Sequence, residues 1–398
     1  MVGNIAHVKT FFRPFALIVA AALALAAPVG AAPDPVRIDA LLAQTGGASF
    51  LGSEEAATLK LVEAYVNAHG GIRGRPVQFV VTDEQSNPQT AVSLMNQIVA
   101  RHPAAVIGTG FTATCKAIMP LVEANGPLLY CITPGVQPKP DSYVFSANVS
   151  THDLAPVNLR FFREKGWKRV ALISSTDATG QDFETGFNEA LTRPEFKGME
   201  LVAREHFNTT DISVTAQMTR IKAANPQVVV MWATGTGFGT LLHGYHDAGL
   251  EMPAAGGNGN LIWSQLQQFA SFAPAELYFA APRAIAEGGV GPGPVRDAQT
   301  AYFAALKSAS MRSDIPTTMA WDPAMILVDA LRALGPDAPA DRIRAYIEGL
   351  HSFAGILGIY DFRDKSQRGL GEQNAVMLRY DAAKNVVTTV SRPKGLLK

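Results

Sequence analysis

Residues 104–137 constrain the fold more than any other part of the chain. A short apolar run at 104–107 ends in Gly108-Thr109-Gly110, a helical segment follows, and a second apolar run at 128–132 ends in Thr133-Pro134-Gly135. Two such runs separated by one helix read as a βαβ unit and therefore as part of a parallel sheet. In that unit the strand ends and the helix start share one edge of the sheet, the edge at which open α/β sheets bind ligands. Here the edge offers main-chain N–H groups, hydroxyls and glycines that allow close approach, but no evident catalytic base. The 108–114 turn, with Thr112 adding a hydroxyl, is a candidate anion site. A plain strand-to-helix turn is the competing reading.

The alternation runs along the whole chain. Residues 36–42 and 77–82 read as strands. Ser53 is placed to cap a helix that runs through Asn67 and stops at Gly70-Gly71. Ala91, Leu94, Met95, Ile98 and Val99 follow the spacing of an amphipathic helix. The pattern restarts after Ser150. Leu159 to Phe162 fall in a helix, 170–173 and 228–232 in strands, 183–191 in a helix, and 202–207 in an extended segment. Met218 and Ile221 lie on a helix ended by Asn225-Pro226. Residues 288–294 form a glycine- and proline-rich loop. Helices through Tyr302 and Leu306 and from Asp322-Pro323 follow, and a hairpin at 375–380 and 386–390 closes the chain. Two blocks of alternating strands and helices predict an α/β fold of two doubly wound parallel-sheet lobes.

The ends and the charge narrow the setting. Lys9 and Arg13 precede an apolar run at 15–27 and small residues at 28–32, the pattern of a secretory signal cleaved near Ala31 or Ala32. That run is short of the roughly 20 residues a spanning helix needs, so a chain that does not span the membrane is expected after cleavage. Removing Lys9 and Arg13 leaves 32 basic against 34 acidic residues. Such a balance gives nucleic acid no electrostatic footprint. In an oxidising compartment the two cysteines, Cys115 and Cys131, are expected to pair, since both fall toward the ligand-binding edge. Two separate buried thiols are the alternative. Two cysteines spaced so far apart do not suit zinc.

Motifs for catalysis and cofactors are not found. Gly108 and Gly110 lack the third glycine of a dinucleotide fingerprint, as do Gly235, Gly237 and Gly239, and no Walker-type sequence occurs. His243 and His246 lie three apart on a helix without further ligands at matching spacing, so no metal is expected. No Gly-x-Ser-x-Gly elbow appears. No cofactor is implied. His152 and Asp153 sit where the first block passes to the second, as a helix cap or at a cleft. Phe50 and Leu51, on a turn between Gly46-Gly47 and Gly52, pack locally or form a cleft wall.

The segment Asn67-Ala68-His69-Gly70-Gly71-Ile72-Arg73-Gly74-Arg75-Pro76, with the strand after it and Asp83-Glu84-Gln85-Ser86-Asn87-Pro88-Gln89-Thr90-Ala91-Val92, closely resembles the opening of the leucine/isoleucine/valine-binding protein family. Thr45-Gly46, Ile132-Thr133-Pro134, Thr179-Gly180, Ala223-Ala224-Asn225-Pro226, Ala248-Gly249-Leu250 and the closing hairpin extend the likeness over nearly the whole mature chain. The resemblance implies a periplasmic, non-enzymatic solute-binding component of an ABC transporter. It implies the type I two-lobed fold with three crossovers, closing on its ligand by hinge motion and handing it to permease subunits. The implied parts are a signal peptide at 1–31, one lobe from 36–151 plus about 283–372, and another from 152–282 plus about 373–398.

Carried over by position, Thr112 matches a hydroxyl that binds the ligand's carboxylate, Gly135 a residue whose backbone does similar work, and Gln137 a further hydroxyl position. Three positions depart from the family's amino-acid binders. Thr179 and Gly235, or neighbouring Thr234, fall where those proteins place tyrosines, and Asn258 falls where they place an acid for the ligand's ammonium. A buried ammonium without a carboxylate partner is costly. The expected ligand is therefore a small carboxylate without an α-ammonium, an aromatic or otherwise hydrophobic organic acid, with Phe50, Phe111 or Trp321 as walls. Asp153 or Asp177 would be the residue to rescue an ammonium. The alternatives are an amino-acid binder of the same family, a ligand sensor of the same fold, and, less favoured, a secreted two-domain enzyme.

Overall fold

The buried aliphatic runs become two sheets, and everything that positions the site follows from where those runs end. The computed structural model describes residues 1–4, 34–286 and 290–398; the expected signal segment, apart from its first four residues, lies outside the described residues. Pro35–Lys398 is a unit separate from Met1–Asp34, and the fold is that of the larger unit.

β1 (Val36–Leu42), α1 (Ser49–Ala68), β2 (Val77–Asp83), α2 (Pro88–Val99), β3 (Ala105–Gly108), α3 (Thr112–Ile118), β4 (Leu128–Cys131) and β5 (Val144–Ser146) build the first sheet and its helices. Its strands are parallel, in the order β2-β1-β3-β4-β5. α4 (Thr151–Glu164), β6 (Arg169–Ser175), α5 (Ala178–Leu191), β7 (Glu200–Phe207), α6 (Thr215–Ala223), β8 (Val228–Trp232), α7 (Thr236–Asp247), β9 (Ala254–Gly256), α8 (Trp263–Gln268) and β10 (Leu277–Pro282) belong to the second. The chain then runs through α9 (Pro294–Ser308), α10 (Ile315–Leu334), α11 (Ala340–Glu348) and the small hairpin β11 (Phe353–Gly355) and β12 (Gly358–Tyr360). It ends in β13 (Ala375–Asp381) and β14 (Val386–Thr389). These last two join the second sheet antiparallel, giving the order β14-β13-β10-β9-β8-β6-β7. The chain thus leaves the first sheet after β5, returns when α10 packs on α1, and leaves again before β13.

Burial explains the patterns. β3, β4 and β8 are buried along their whole length, as central strands of a parallel sheet covered on both faces must be. β7 lies at an edge and carries Glu200, Arg204 and Glu205, charges that discourage pairing with another chain. Asn87 caps α2 by accepting from the Thr90 N–H at 3.0 Å, with Pro88 in the first turn.

Two expected helix starts move. α1 begins at Ser49, not after Ser53, so Phe50 and Leu51 lie in a helical turn rather than on a loop. α10 begins at Ile315, with Asp314 and Thr317 forming a capping box and Pro316 in the first turn. Asp322 and Pro323 are inside that helix. The Asp322 carboxylate is buried and accepts from the Ile356 and Leu357 N–H groups and the Tyr360 hydroxyl. It serves the β11–β12 hairpin rather than its own helix.

Cys115 of α3 and Cys131 at the end of β4 form a disulfide with their Cα atoms 6.2 Å apart. Both are buried in a cluster with Leu41, Met95, Ile118 and Val136 beneath α2 and α3. Closing so short a loop contributes roughly 3 kcal/mol. Replacing both cysteines by alanine should lower unfolding free energy by about that much, read from the denaturant midpoint; an unchanged midpoint would contradict it.

Candidate functional site

The C-terminal ends of β3, β4, β8 and β9 converge, and the turns that leave them enclose a cavity between the two sheets. Its lining includes Gly110 and Thr112 after β3, Thr133 and Pro134 after β4, and Trp232, Ala233 and Thr234 at the end of β8. Gly257, Asn258 and Gly259 follow β9, while Leu51 of α1, Thr151 of α4, Thr179 of α5 and Met319 of α10 complete it. The space between these residues, counted out to the mouth where it meets solvent, is about 350 Å³.

The lining is donor-rich and carries no ionisable side chain among the described residues. The Thr112 and Thr133 hydroxyls lie 2.9 Å apart, and the Gly135 N–H donates to the Thr133 hydroxyl at 3.3 Å. On the facing side, Thr179 Oγ1 and Asn258 Nδ2 are buried without a hydrogen-bond partner. Trp232 brings an aromatic ring to the lining, and Phe183 backs it, stacked at 3.5 Å.

Thr112, Thr179, Thr234 and Asn258 therefore come together as the sequence suggested. Gly135 stands directly behind Thr112: a Cβ there would lie 2.3 Å from Thr112 Oγ1, so the glycine lets the threonine occupy its place. Gly235 does not line the cavity but meets the opposite lobe. At φ +67° it packs so closely on the Gly47 carbonyl that a Cβ would come within 2.0 Å of that oxygen, and the adjacent Thr236 N–H donates to the same carbonyl at 3.1 Å. A tyrosine cannot stand there without moving the lobes apart. Gln137 turns to the rim, accepting from the Ser150 hydroxyl at 3.0 Å and donating to Asp182 at 3.4 Å.

The expected aromatic walls, Phe50, Phe111 and Trp321, are not among the residues that line this cavity. Phe50, one residue before Leu51 and so about 100° round α1, packs on the core. Phe111 precedes the first turn of α3, where its carbonyl accepts from Thr114 and Cys115. Trp321 follows Met319 by two residues, about 200° round α10, and packs between Tyr65 and Tyr302 at 5.5 and 5.2 Å. Trp232, Leu51 and Met319 supply the apolar surface instead. Trp232 could have been found as the last residue of a buried strand whose next turn carries Thr234; nothing local marks Met319.

Neither suggested rescuing acid lines the cavity. Asp177 caps α5, accepting from the Thr179 and Gly180 N–H groups at 3.2 Å. Asp153 lines a separate groove with Arg363, Arg368 and Glu372. His243 packs on Phe272, with ring centroids 3.7 Å apart, and the described residues hold no metal-binding group of acids, histidines and cysteines. A buried acid nevertheless stands one layer back. Burial, with the charges of Glu84 and Asp314 added, drives the Glu55 pKa well above the ordinary carboxylate range. Its carboxyl occupies the space a Cβ on Gly110 would need, and the Gly110 N–H beside it is the one group that works to lower that pKa. Burial likewise lifts Glu84 to about 7, although the hydroxyls of Thr114 and Thr109 oppose it.

Asp182 of α5 holds the rim. Lys116 of α3 approaches it at 3.3 Å, the Thr151 hydroxyl donates to it, and His152 Nε2 faces it at 3.7 Å. Burial works against this carboxylate, but His152, Thr151 and Lys116 outweigh it and hold its pKa below the usual value. Asp182 in turn raises the pKa of His152, with burial opposing and Glu189 adding. Lys116 and Asp182 belong to helices of different sheets, so this ion pair and the Thr236–Gly47 hydrogen bond both tie the lobes together.

A periplasmic binding protein family model matches residues 35–385, and the chain belongs to that family. The family is one of non-enzymatic solute-binding proteins of ABC transporters, acting outside the cytoplasm. The chain is 25% identical over 244 residues to the "Leu/Ile/Val-binding protein homolog 3" of Brucella melitensis, a match covering 60% of this chain and 66%, just under two thirds, of that protein. Its fold is similar to the ABC transporter solute binding protein of R. palustris in complex with benzoate, at 17% identity and a TM-score of 0.75, over 90% of this chain and 97% of that one. It is also similar to the branched-chain amino acid transporter substrate binding protein of Streptococcus pneumoniae in complex with isoleucine, at 19% identity and a TM-score of 0.71, over 89% and 98%. These likenesses bear out the two-lobed type I fold. No helix of the described residues is long and apolar enough to cross a membrane.

A histidine whose folded pKa is raised contributes stability fully below its unfolded value near 6.5, and loses it as pH rises through the folded pKa. His152→Gln should therefore lower the melting temperature more at pH 5.5 than at pH 8.5. A deficit that does not narrow with rising pH would contradict this pairing.

Proposed function

We propose that the chain is the periplasmic solute-binding protein of an ABC importer, exported by its N-terminal signal, and that it delivers a small hydrophobic or aromatic carboxylate to permease subunits. The observation that carries the ligand class is the absence of any ionisable side chain from the cavity lining of the described residues, with Asn258 at the position where an amino-acid binder needs an acid. Thr112, Thr133 and the Gly135 N–H take the carboxylate end. Trp232, Leu51 and Met319 take the apolar body. Thr179, Thr234 and Asn258 offer uncharged donors at the far end. Gly235 and Gln137 act at the lobe contact and the rim rather than on the ligand, and Phe50 and Phe111 support the turns that carry Leu51 and Thr112.

An ammonium in this cavity would have no counter-charge in contact, at a cost of several kcal/mol. A carboxylate is better served, because charge-assisted hydrogen bonds from hydroxyl and amide donors are stronger than neutral ones. The benzoate-bound neighbour supports an acid of this size. The names of the curated relatives favour a branched-chain amino acid, for which Glu55 behind Gly110 is the acid to reach the ammonium.

Thermal-shift and calorimetric screening of benzoates, phenylpropenoates, aliphatic acids and branched amino acids separates the two. The expected result is stabilisation by one or more hydrophobic acids and none by leucine or valine. Stabilisation by leucine or valine alone would overturn the acid reading, and loss of that effect in Glu55→Gln would assign the ammonium to Glu55.

A further inference from the structure

Arg368 lies on the last passage between the sheets, immediately behind the turn that carries Thr133, Pro134 and Gly135. Its side chain is buried. Nη1 donates to the Ala147 and Asn148 carbonyls at 2.9 and 3.1 Å, and Nη2 to the Val136 and Pro134 carbonyls at 2.6 and 3.4 Å. Every one of these acceptors is main chain. Asp153 and Asp182 add their field, yet neither hydrogen-bonds it, and burial brings its pKa down to about 10, still protonated at neutral pH. A buried guanidinium without a carboxylate in contact is costly, and its placement calls for a reason.

The peptide plane supplies one. A trans peptide holds its C=O and the following N–H on opposite sides. The Pro134 carbonyl accepts from Arg368 at 3.4 Å and from the Thr151 N–H and hydroxyl at 3.3 and 3.5 Å, so the Gly135 N–H points the other way, and it is found on the Thr133 hydroxyl at 3.3 Å. That hydroxyl touches Thr112, and Thr112, Thr133 and Pro134 all line the cavity. The turn is thus a thin wall with a positive charge behind it, and the positive end of the Pro134–Gly135 peptide dipole acts on the cavity through the Thr133 hydroxyl that lines it.

We propose that Arg368 is a positioning residue for anion selectivity: it orients and polarises the Pro134–Gly135 peptide so that its N–H end faces a ligand carboxylate. The inference rests on the carboxylate reading above. It predicts a selectivity no cavity-lining residue carries, since acids are favoured over their own amides through a charge the ligand never touches.

The test is calorimetry of full-length mature protein with two matched pairs, benzoate against benzamide and leucine against leucinamide, in wild type, Arg368→Gln and Arg368→Lys. In R368Q the ratio of acid to amide affinity should fall about tenfold, the scale of one charge acting across a few ångströms of protein, while amide affinity hardly moves. R368K should restore part of the ratio. Lysine keeps the charge but cannot span both pairs of carbonyls. Equal losses for acid and amide, or an unchanged ratio in folded R368Q, would overturn the proposal and leave Arg368 a structural clamp. Where R368Q does not fold, R368K decides alone: its ratio should fall about threefold, and an unchanged ratio overturns the proposal. Binding of leucine but not benzoate overturns the hydrophobic-acid class while the leucine pair still reads Arg368. Binding of neither pair overturns both.

Discussion

Four main-chain carbonyls converge on the buried guanidinium of Arg368, and they come from segments that must keep a fixed relation for the molecule to work. Pro134 and Val136 belong to the turn that frames the cavity, and Ala147 and Asn148 to the first passage out of the first sheet. Arg368 itself belongs to the last passage, and its neighbour Gln367 adds to the stitch by accepting from the Ser146 N–H and donating to the Ser142 carbonyl. The same residue therefore joins the mechanical part of the fold to the chemical part.

The electrostatics of the first lobe fit this arrangement. Glu55, Glu84 and Asp314 are buried with pKa values raised chiefly by desolvation, Glu84 to about 7 and Asp314 to about 8. Acids held near neutrality place little negative charge behind the cavity, while Arg368 keeps its own. Arg368 is thus the buried cation directly behind this wall, with Asp153 and Asp182 acting on it from further off, although the chain as a whole is formally neutral. Net charge read from composition says nothing about this, because the groups that decide it differ in burial rather than in number.

What the sequence made legible follows the same division. The strand ends at Gly108, Cys131 and Trp232 were readable because buried parallel strands are short apolar runs closed by turn residues. Those ends alone locate the cavity. Thr112 was legible on the turn after such an end, whereas Thr179, Thr234 and Asn258 were singled out only through the resemblance to the leucine/isoleucine/valine-binding protein family. Leu51, Met319 and Arg368 were found in neither way. The first two depend on helical phase once a start is fixed, and both α1 and α10 begin several residues before the starts expected at Ser53 and Asp322. Arg368 reaches a turn more than 200 residues earlier in the chain, and no local pattern encodes such a contact. Gly135 and Gly235 were noticed as glycines near a ligand, yet their nearest constraints are a threonine side chain and the opposite lobe's carbonyl.

The lobes are tied by several polar contacts, among them Lys116–Asp182, Gln137–Asp182, the Thr236 N–H to the Gly47 carbonyl and the Ile315 N–H to the Leu261 carbonyl, and that bears on how a ligand controls closure. Lys116 is about a third exposed in its pair with Asp182, so that pair contributes up to about 1 kcal/mol, and the Thr236–Gly47 hydrogen bond adds about as much. Against them stand Thr179 Oγ1 and Asn258 Nδ2, desolvated with no partner within the protein, each at a cost of about 1–3 kcal/mol. A ligand that accepts from those two groups removes their cost only when the lobes are together, which is the differential interaction a population shift requires. On the proposed carboxylate reading, the uncharged donors of the second lobe would do two things with the same atoms: withhold a counter-charge from an ammonium, and make closure depend on a ligand that can accept.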